Sequence, residues 1–340
     1  MVSPTYSILA DVTTAGARRK KRKNTKVPSL NGGDVSEDNN IVLALKGLTL
    51  TTNDCVARNN SGLPCAPEEV INIIERFVTV PENSSGFNII EAAQDKYGCP
   101  NESCVLVAVS DEVNAKEREK IKKVLEKDFK PVGPKNSLAL LNNHHIDNTL
   151  RLWGQEFPDF YPCPFAMMDF NVNGNFFNKI HFPDLLEGRL KVDLGKMVPK
   201  NNRVCKTFGC VVNTDISSGP GKHWVAVFVD CRLPPGSPWS IEYFNSAGHT
   251  PPDIMSHWME RHRAILDKYR NGENQLNNEV ITVSVTNIDH QESQTECGLY
   301  ALFYIRRRLE GTPYNFFNKQ LVPDAAMTKF RQYIFREYTI

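Results

Sequence analysis

The stretch Thr295-Glu296-Cys297-Gly298-Leu299-Tyr300 places a cysteine between a polar turn and an apolar run that continues to Ile305. This pattern predicts a buried helix that begins near Cys297, continues to Leu309 and stops at Gly311. A cysteine in the first turn of a helix lies at the positive end of the helix dipole, which favours the thiolate over the thiol. The pattern therefore predicts a nucleophile at Cys297. Nucleophilic catalysis also requires a base, an orienting group and an oxyanion donor.

Two polar residues at the ends of predicted strands are candidates for the base and its orienting group. His223 opens an alternating run over 222–231, and Asn245 closes the short run 240–244. A histidine at this place can take the thiol proton and later give it to a leaving amine. An amide can hydrogen-bond the second imidazole nitrogen and fix the tautomer. Taken alone, each residue is more often structural, His223 beside Trp224 and Asn245 in a turn.

A glutamine precedes the cysteine at a spacing that suits an oxyanion donor. Gln291 lies six residues before Cys297, and its amide together with the Cys297 backbone N–H would bind the oxygen of a tetrahedral intermediate. Gln294 is the rival donor, and both glutamines also fit an ordinary polar loop. Each element is weak by itself. The ordered combination of histidine, amide, glutamine and helix-opening cysteine predicts a thiol hydrolase.

Composition limits the class of protein. The chain has 340 residues, 41% of them hydrophobic, and a formal net charge of +1, so no global field directs it to nucleic acid or to a membrane surface. No apolar run has the length of a bilayer-spanning helix. The nine cysteines are scattered and odd in number, which favours reduced thiols over a disulfide framework. Four of them fall between Cys55 and Cys104, but their spacings match no common zinc pattern, so we expect neither a metal nor another cofactor.

Three regions are expected along the chain. Residues 1–40 are predicted to be a disordered tail with a basic block, Arg18–Lys23, which is either a solvated segment, a nuclear signal or a nucleic-acid contact. Residues 41–134 are predicted to be an accessory region with helices at 68–77 and 116–129 and a strand at 104–109. Residues 135–340 are predicted to be an α+β catalytic core. Its helix from Ile146 to Trp153 is capped by Asn142 or Asn143, a third strand covers 280–288, and a last helix covers 325–337.

The segments around these candidates resemble a known family of cysteine peptidases. The similar segments are Gly221-Lys222-His223-Trp224, Phe244-Asn245-Ser246, 290–298 and Leu141-Asn142-Asn143-His144-His145-Ile146-Asp147. They resemble the ubiquitin-like-protein-specific, SUMO protease-like cysteine peptidases over about residues 135–340. The resemblance is greater to the viral branch, the processing proteases of large DNA viruses such as African swine fever virus and the poxviruses, than to the adenovirus protease.

The resemblance implies a fold and a set of roles. The fold is a papain-like or adenain-like core with a central mixed sheet flanked by helices, preceded by a smaller N-terminal arm region. His223 is implied as base, Asn245 as orienting residue, Gln291 as oxyanion donor and Cys297 as nucleophile. Many relatives have aspartate where this chain has Asn245. Trp224 is implied as a wall of the substrate channel, with a role in the core as the alternative, and Asn143 as a further substrate contact.

The resemblance also implies a substrate and a place of action. The relatives cut after Gly-Gly, and a narrow channel passes a segment without side chains more easily than a larger one. The implied substrates are viral structural precursors with Gly-Gly-X sites, and the implied location is the virion and the host cytoplasm, with the nucleus as an alternative because of Arg18–Lys23. The Asn31-Gly32-Gly33-Asp34 segment suggests self-cleavage after Gly33. Nothing in the sequence indicates the oligomeric state.

Three other functions fit parts of the same pattern. A SUMO or ubiquitin isopeptidase would use the same four residues on host conjugates. An acetyltransferase of the bacterial-effector type would use a similar histidine and cysteine, although such enzymes generally have a carboxylate in place of Asn245. A binding module that keeps the fold without catalysis would not need the complete set of residues.

Overall fold

The computed structural model describes residues 37–48, 54–56, 63–135, 139–172, 176–190, 203–234, 237–272, 279–337 and 340. The basic block Arg18–Lys23, the Gly32-Gly33 pair and most of the predicted tail lie outside the described residues. Helix α1 (Glu37–Leu45) begins within the predicted tail, so residues 37–40 of that tail are helical. None of the described helices is both long and apolar enough to cross a bilayer.

A mixed six-stranded sheet occupies the centre of the fold. Its strands are β1 (Phe160–Pro162), β2 (Ala166–Met167), β3 (Thr207–Asn213), β4 (Trp224–Asp230), β5 (Trp239–Phe244) and β6 (Val280–Val285). The order is β1-β3-β4-β5-β6, and β2 also pairs with β3. Strands β3, β4 and β5 are antiparallel neighbours, while β1, β2 and β6 run parallel to theirs. The expected α+β core with a mixed sheet is confirmed, and the predicted strands at 222–231, 240–244 and 280–288 correspond to β4, β5 and β6.

Strand β4 separates two hydrophobic layers because its side chains alternate between the faces of the sheet. Trp224, Ala226 and Phe228 pack into one layer with the helix that contains the cysteine. Val225 and Val227 pack into the other layer. All seven residues of β4 are buried, so both faces of the sheet are covered by helices.

The helices of the core lie on these two faces. They are α6 (Asn143–Glu156), α7 (Phe176–Lys179), α8 (Phe182–Leu186), α9 (Asp253–Asn271), α10 (Cys297–Leu309), α11 (Asn315–Lys319) and α12 (Asp324–Ile334). Every residue of α10 is buried, and Gly311, with φ of 88°, follows its end. The predicted helix from Cys297 to Leu309 is thus confirmed, and the predicted helix at 325–337 corresponds to α12.

The accessory region is helical. Its helices are α2 (Glu68–Glu75), α3 (Gly86–Tyr97), α4 (Glu102–Ser110) and α5 (Ala115–Asp128), and they share an apolar cluster of their own. The strand predicted at 104–109 is wrong, because these residues belong to α4, whose N-cap Asn101 accepts a hydrogen bond from the Cys104 N–H. A short apolar run without periodicity does not distinguish a buried strand from a buried helix. Since Ser36–Ile340 form one compact unit, the boundary at 134/135 stays a prediction.

Two cysteine pairs depart from the expectation of reduced thiols. Cys55 is paired with Cys65 and Cys99 with Cys104, with Cα–Cα distances of 5.8 and 5.5 Å. All four belong to the accessory region, and the remaining five cysteines are free. An odd total says nothing about which cysteines the fold brings together, and here the packing of the accessory region decides the pairing.

Candidate active site

Cys297 is the first residue of α10 and is buried. Its side chain is buried among the layer that includes Trp224 and Leu141. The backbone N–H groups of Trp224, Gly298 and Cys297 itself act on the sulfur and lower the pKa of the thiol. The effect of the Trp224 N–H shows that the sulfur lies close to the first peptide of β4, the peptide that joins His223 to Trp224.

His223 is held in place by the turn that precedes β4. The Asn213 Oδ1 accepts the Lys222 N–H at 3.1 Å, and the Asp215 carboxylate accepts the Gly221 N–H at 3.1 Å. Gly221 has φ of 92°, a conformation that favours glycine. These contacts fix the backbone that enters β4, so the imidazole of His223 is positioned by a rigid turn rather than by a free loop.

The imidazole of His223 is oriented by Asn245. The His223 Nε2 and the Asn245 Oδ1 are 2.9 Å apart. The Ala247 N–H also donates to this Oδ1 at 3.0 Å, and the Asn245 Nδ2 donates to the Tyr243 hydroxyl at 3.2 Å. Because a backbone N–H fixes which end of the amide is the oxygen, the His223 Nε2 must carry the proton. The Nδ1 lone pair is then left to accept a proton.

Gln291 is tied to the residue after Asn245. The Ser246 hydroxyl donates to the Gln291 Oε1 at 2.8 Å, and the Gln291 Nε2 donates to the Ser293 carbonyl at 2.8 Å. The Ser246 carbonyl accepts the N–H groups of both His290 and Gln291. The amide of Gln291 is therefore held at the end of β5, with a second amide proton beyond its bond to Ser293. The rival, Gln294, is exposed.

Trp224 and the start of α6 form one wall beside the cysteine. The Trp224 indole N–H donates to the Leu141 carbonyl at 3.0 Å, and the Phe165 ring meets the indole edge-on with centroids 6.1 Å apart. A Cβ at Gly298 would lie 3.0 Å from the Leu141 Cβ, so the glycine permits the close approach of α10 to this wall. Asn143 is the half-buried first residue of α6, after the N-cap Asn142.

The protonation states differ from the expectation of a preformed thiolate. Burial raises the pKa of the Cys297 thiol, and although three backbone N–H groups lower it, the nearby Glu296 raises it further. Burial also lowers the pKa of His223, against the effect of its bond to Asn245. The loss of hydration thus outweighs the helix dipole. The resting pair is a neutral thiol and a neutral imidazole.

Several residues that shape the site were not identified from the sequence. Tyr243 holds the Asn245 amide, and Ser246 holds Gln291. Asp147 accepts the Phe165 N–H at 2.8 Å, and burial raises the pKa of this carboxyl to about 6. The position of Tyr243, two residues before Asn245 on the same strand face, was a usable signal. Nothing in the sequence connects Asp147 with Phe165.

One group of potential metal ligands lies outside this site. Cys55, Cys65 and Glu102 place their ligand atoms within 4.8 Å of one another. The two cysteines are paired with each other, and the two Glu102 oxygens accept the N–H groups of Cys65 and Ala66 at 3.0 and 2.8 Å. The donor atoms are therefore already occupied by protein contacts.

Comparison with known proteins places these features in a family. Residues 205–340 match the Ulp1 protease family, C-terminal catalytic domain. A cysteine protease of a Malawi tick isolate of African swine fever virus is 45% identical over 245 residues, which cover 72% of this chain and 85% of that protein. A relative of equal identity from a Kenyan pig isolate of the same virus is named SUMO-1 cysteine protease. The crystal structure of a protease of African swine fever virus matches 86% of this chain and 99% of its own chain, with 37% identity and a TM-score of 0.70.

Proposed function

This chain is a cysteine protease of the Ulp1 family, in the group that includes the cysteine protease of African swine fever virus, and we propose that it matures viral structural precursors by cleavage after Gly-Gly. The observation that carries the proposal is the hydrogen-bonded pair of His223 and Asn245. Its fixed amide leaves the other imidazole nitrogen free to act as the base for the Cys297 thiol.

The proposed attack begins from the neutral pair. As the Cys297 sulfur forms a bond to the scissile carbonyl carbon, the thiol proton moves to the His223 Nδ1. The imidazolium that results is stabilised by the Asn245 Oδ1, which keeps accepting the Nε2 proton. Because burial raises the pKa of the Cys297 thiol, the thiol keeps its proton at rest. The proton is therefore transferred during the attack and not before it.

The later steps return this proton and release the product. The tetrahedral intermediate collapses as its C–N bond breaks, and the imidazolium protonates the leaving amine. Water then attacks the thioester, with His223 as base again, and the acid product and free thiol are formed. In the intermediate, the negative oxygen is bound by the Cys297 backbone N–H and the second amide proton of Gln291. Ser246 and the Ser293 carbonyl keep that amide in place.

The preference for glycine follows from the proposed channel wall. The Trp224 indole is fixed by the Leu141 carbonyl and by the Phe165 ring, so it does not move aside for a side chain. A Gly-Gly segment has no Cβ to meet such a wall. Asn143, at the start of α6, is the proposed polar contact for the substrate backbone on this side.

The proposed setting is the virion and the cytoplasmic assembly site of the host cell, with nucleic-acid contact through Arg18–Lys23 as a further element. A second function, removal of SUMO or ubiquitin from host conjugates, is favoured by one observation, the name SUMO-1 cysteine protease given to relatives at 45% identity. Both functions use the same thiol chemistry and differ only in the substrate.

A test of the catalytic roles uses a fluorogenic peptide that contains Gly-Gly-X. We expect C297A to abolish turnover, H223A to be nearly as severe because the residues act as a unit, and Q291A to lower kcat by about 100-fold, the effect of one lost oxyanion donor. Q294A is the matched control and should change little. Turnover by C297A, or a greater loss in Q294A than in Q291A, would contradict these assignments.

The two proposed functions are distinguished by a direct comparison of their substrates. The same enzyme preparation is given a Gly-Gly-X peptide from a viral precursor and a SUMO- or ubiquitin-linked reporter, and kcat/KM is measured for each. The maturation function predicts a larger kcat/KM for the viral site. A larger value for the conjugate would favour the isopeptidase.

A further inference from the structure

The loop that carries Gln291 is held from two sides. This loop, residues 290–296, is the last part of the connection from β6 to α10. On one side, the Ser246 carbonyl accepts the His290 N–H at 2.7 Å and the Gln291 N–H at 3.0 Å. On the other side lies the segment 322–324, at the start of α12, which has no role in the mechanism described above. Its contacts with the Gln291 loop indicate such a role.

Two hydrogen bonds connect the start of α12 with the Gln291 loop. The Val322 N–H donates to the His290 Nδ1 at 3.2 Å, and the Ser293 N–H donates to the Asp324 Oδ2 at 2.7 Å. A carboxylate that accepts a backbone N–H forms a stronger bond than a neutral acceptor does. Asp324 and Ser293 are both half-buried, so this bond is partly shielded from water. It is therefore a firm attachment point for the loop.

The Asp324 carboxylate is itself fixed by its surroundings. Asp324 is the first residue of α12, where the helix dipole favours a negative charge. Its Oδ1 lies 2.9 Å from the hydroxyl of Tyr300, a fully buried residue of α10. The same hydroxyl lies 2.9 Å from the Val322 carbonyl and 3.1 Å from the His290 carbonyl. The carboxylate therefore belongs to a junction of α10, α12 and the Gln291 loop.

Ser293 transmits this restraint to the side-chain amide of Gln291. The Gln291 Nε2 donates to the Ser293 carbonyl at 2.8 Å, and the N–H of the same serine is the group that Asp324 holds. The last torsion of a glutamine side chain has only a weak preference, so the bonds at its end set the direction of the amide. The Ser246 hydroxyl fixes the amide oxygen, and the Ser293 carbonyl fixes one amide proton. A displaced Ser293 would therefore turn the second amide proton away.

We propose that Asp324 is a positioning residue of the oxyanion hole, which holds Ser293 so that the second amide proton of Gln291 points at the tetrahedral intermediate. The proposal rests on the proposed role of Gln291 as oxyanion donor. Asp324 acts through Ser293 and not on the substrate. A donor stabilises the oxyanion only when it is directed at it before the reaction begins. Loss of Asp324 should therefore affect the transition state and leave the binding of substrate unchanged.

The test measures kcat and KM of the full chain with whichever Gly-Gly substrate it cleaves faster, the viral peptide or the SUMO-linked reporter. We expect D324A to lower kcat by about tenfold, less than the complete loss of the donor in Q291A, with KM unchanged. D324N keeps an oxygen that accepts the Ser293 N–H and should restore kcat to within about threefold of the natural value. T328A is the matched control on α12, since the exposed Thr328 hydroxyl contacts the Asp324 backbone carbonyl, at 3.4 Å, and not its carboxylate.

A cycle of variants distinguishes positioning from a general loss of structure. Q291A/D324A should have the same kcat as Q291A, because Asp324 has no amide to position when Gln291 is absent. A variant that merely loosens the fold would lower kcat further in the Q291A background. D324S keeps a polar residue in the first turn of α12, with an oxygen one atom closer to the backbone, and takes the place of D324A in the cycle if D324A does not fold.

The outcomes also separate this proposal from the assignment of Gln291. An unchanged kcat in Q291A would contradict the oxyanion role of Gln291 and overturn both. If kcat falls in Q291A, a natural kcat in D324A overturns the positioning role alone, and so does an equal loss in T328A. Equal losses in D324A and D324N would show that the charge of Asp324 matters and not its acceptor oxygen. Additive losses in Q291A/D324A would show that Asp324 acts independently of the glutamine.

Discussion

At the scale of single residues, the chemistry of this protein depends on hydrogen bonds that set protonation. The Ala247 N–H determines the orientation of the Asn245 amide, and the amide determines the tautomer of His223. Burial keeps the Cys297 sulfur protonated and the imidazole neutral. In the proposed mechanism, His223 therefore receives the thiol proton during attack, and activity is lost when the imidazole is protonated beforehand.

The first prediction concerns the acid side of the pH profile. Because the pKa of His223 is lowered, the kcat/KM of the natural enzyme should stay high as the pH falls to about 6.5, the usual histidine value, and decline only below it. N245D places a negative charge next to the Nε2 proton and raises the pKa of His223, so its activity should be lost at a pH about one unit higher. A pH series with the Gly-Gly peptide measures this, and N245A, which adds no charge, is the control. Superimposable acid limbs for N245D and the natural enzyme would contradict the tautomer assignment.

At the scale of elements, α10 is a helix that is buried on every side, and its last turn contains three arginines. Arg306 is paired with Glu156 of α6, and Arg308 is paired with Glu242 of β5 at 2.7 Å. The Glu242 side chain is fully buried and also accepts the Tyr304 hydroxyl at 2.6 Å. These pairs fix the position of α10 along the sheet. They therefore also fix which part of β4 lies next to Cys297.

The second prediction tests this buried pair. Removal of Arg308 leaves the buried Glu242 carboxylate without a cation, so R308M should lower the free energy of unfolding by about 3–5 kcal/mol. E242M should cost less, because Arg308 keeps Asp230 at 3.0 Å. Asp230, the other carboxylate on Arg308, keeps its bond to Arg232 at 2.7 Å, so it does not become unpaired in R308M. The double variant should lose less than the sum of the two. Urea denaturation gives all three values, and strictly additive losses would show that the pair is not coupled.

At the scale of the whole molecule, the two sides of the sheet each enclose a histidine away from the catalytic pair. His290 lies on the α10 side and His262 on the α9 side, and both are buried. Burial lowers the pKa of His290 to about 4 and that of His262 to about 3. In the unfolded chain both return to the ordinary value of about 6.5, so the unfolded state binds protons that the folded state excludes.

The third prediction follows from the sign of this difference. Between the unfolded and the folded pKa, each histidine removes about 1.4 kcal/mol of stability for every unit by which the pH falls. When the pH is lowered from 6.5 to 5, the free energy of unfolding of H262F should therefore fall by about 2 kcal/mol less than that of the natural protein. The His262 ring lies 4.5 Å from the Trp258 ring, its Nδ1 has no hydrogen-bond partner among the described residues, and its Nε2 lies 3.3 Å from the Arg261 Nη2. Phenylalanine keeps the ring packing and removes the contact with Arg261. Thermal unfolding at the two pH values measures the difference. Burial raises the pKa of Asp147, so this carboxyl increases the free energy of unfolding as the pH falls. The increase is the same in H262F and in the natural protein.

The sequence by itself determined the elements that carry the chemistry. Local patterns were sufficient for the helix that opens at Cys297, the strand that follows His223 and the strand that ends before Asn245, because apolar periodicity and terminal residues act over a few neighbours. The same patterns failed at residues 104–109, where a short apolar run forms a helix after the Asn101 cap.

Only the tertiary structure decided which of these residues meet and in what state. Three features are contacts that no local pattern specifies: the approach of the Trp224 N–H to the Cys297 sulfur, the orientation of the Asn245 amide by Ala247, and the two cysteine pairs of the accessory region. The neutral thiol was decided there as well. A helix dipole is readable from a few residues, but the loss of hydration that outweighs it depends on every atom packed around the sulfur.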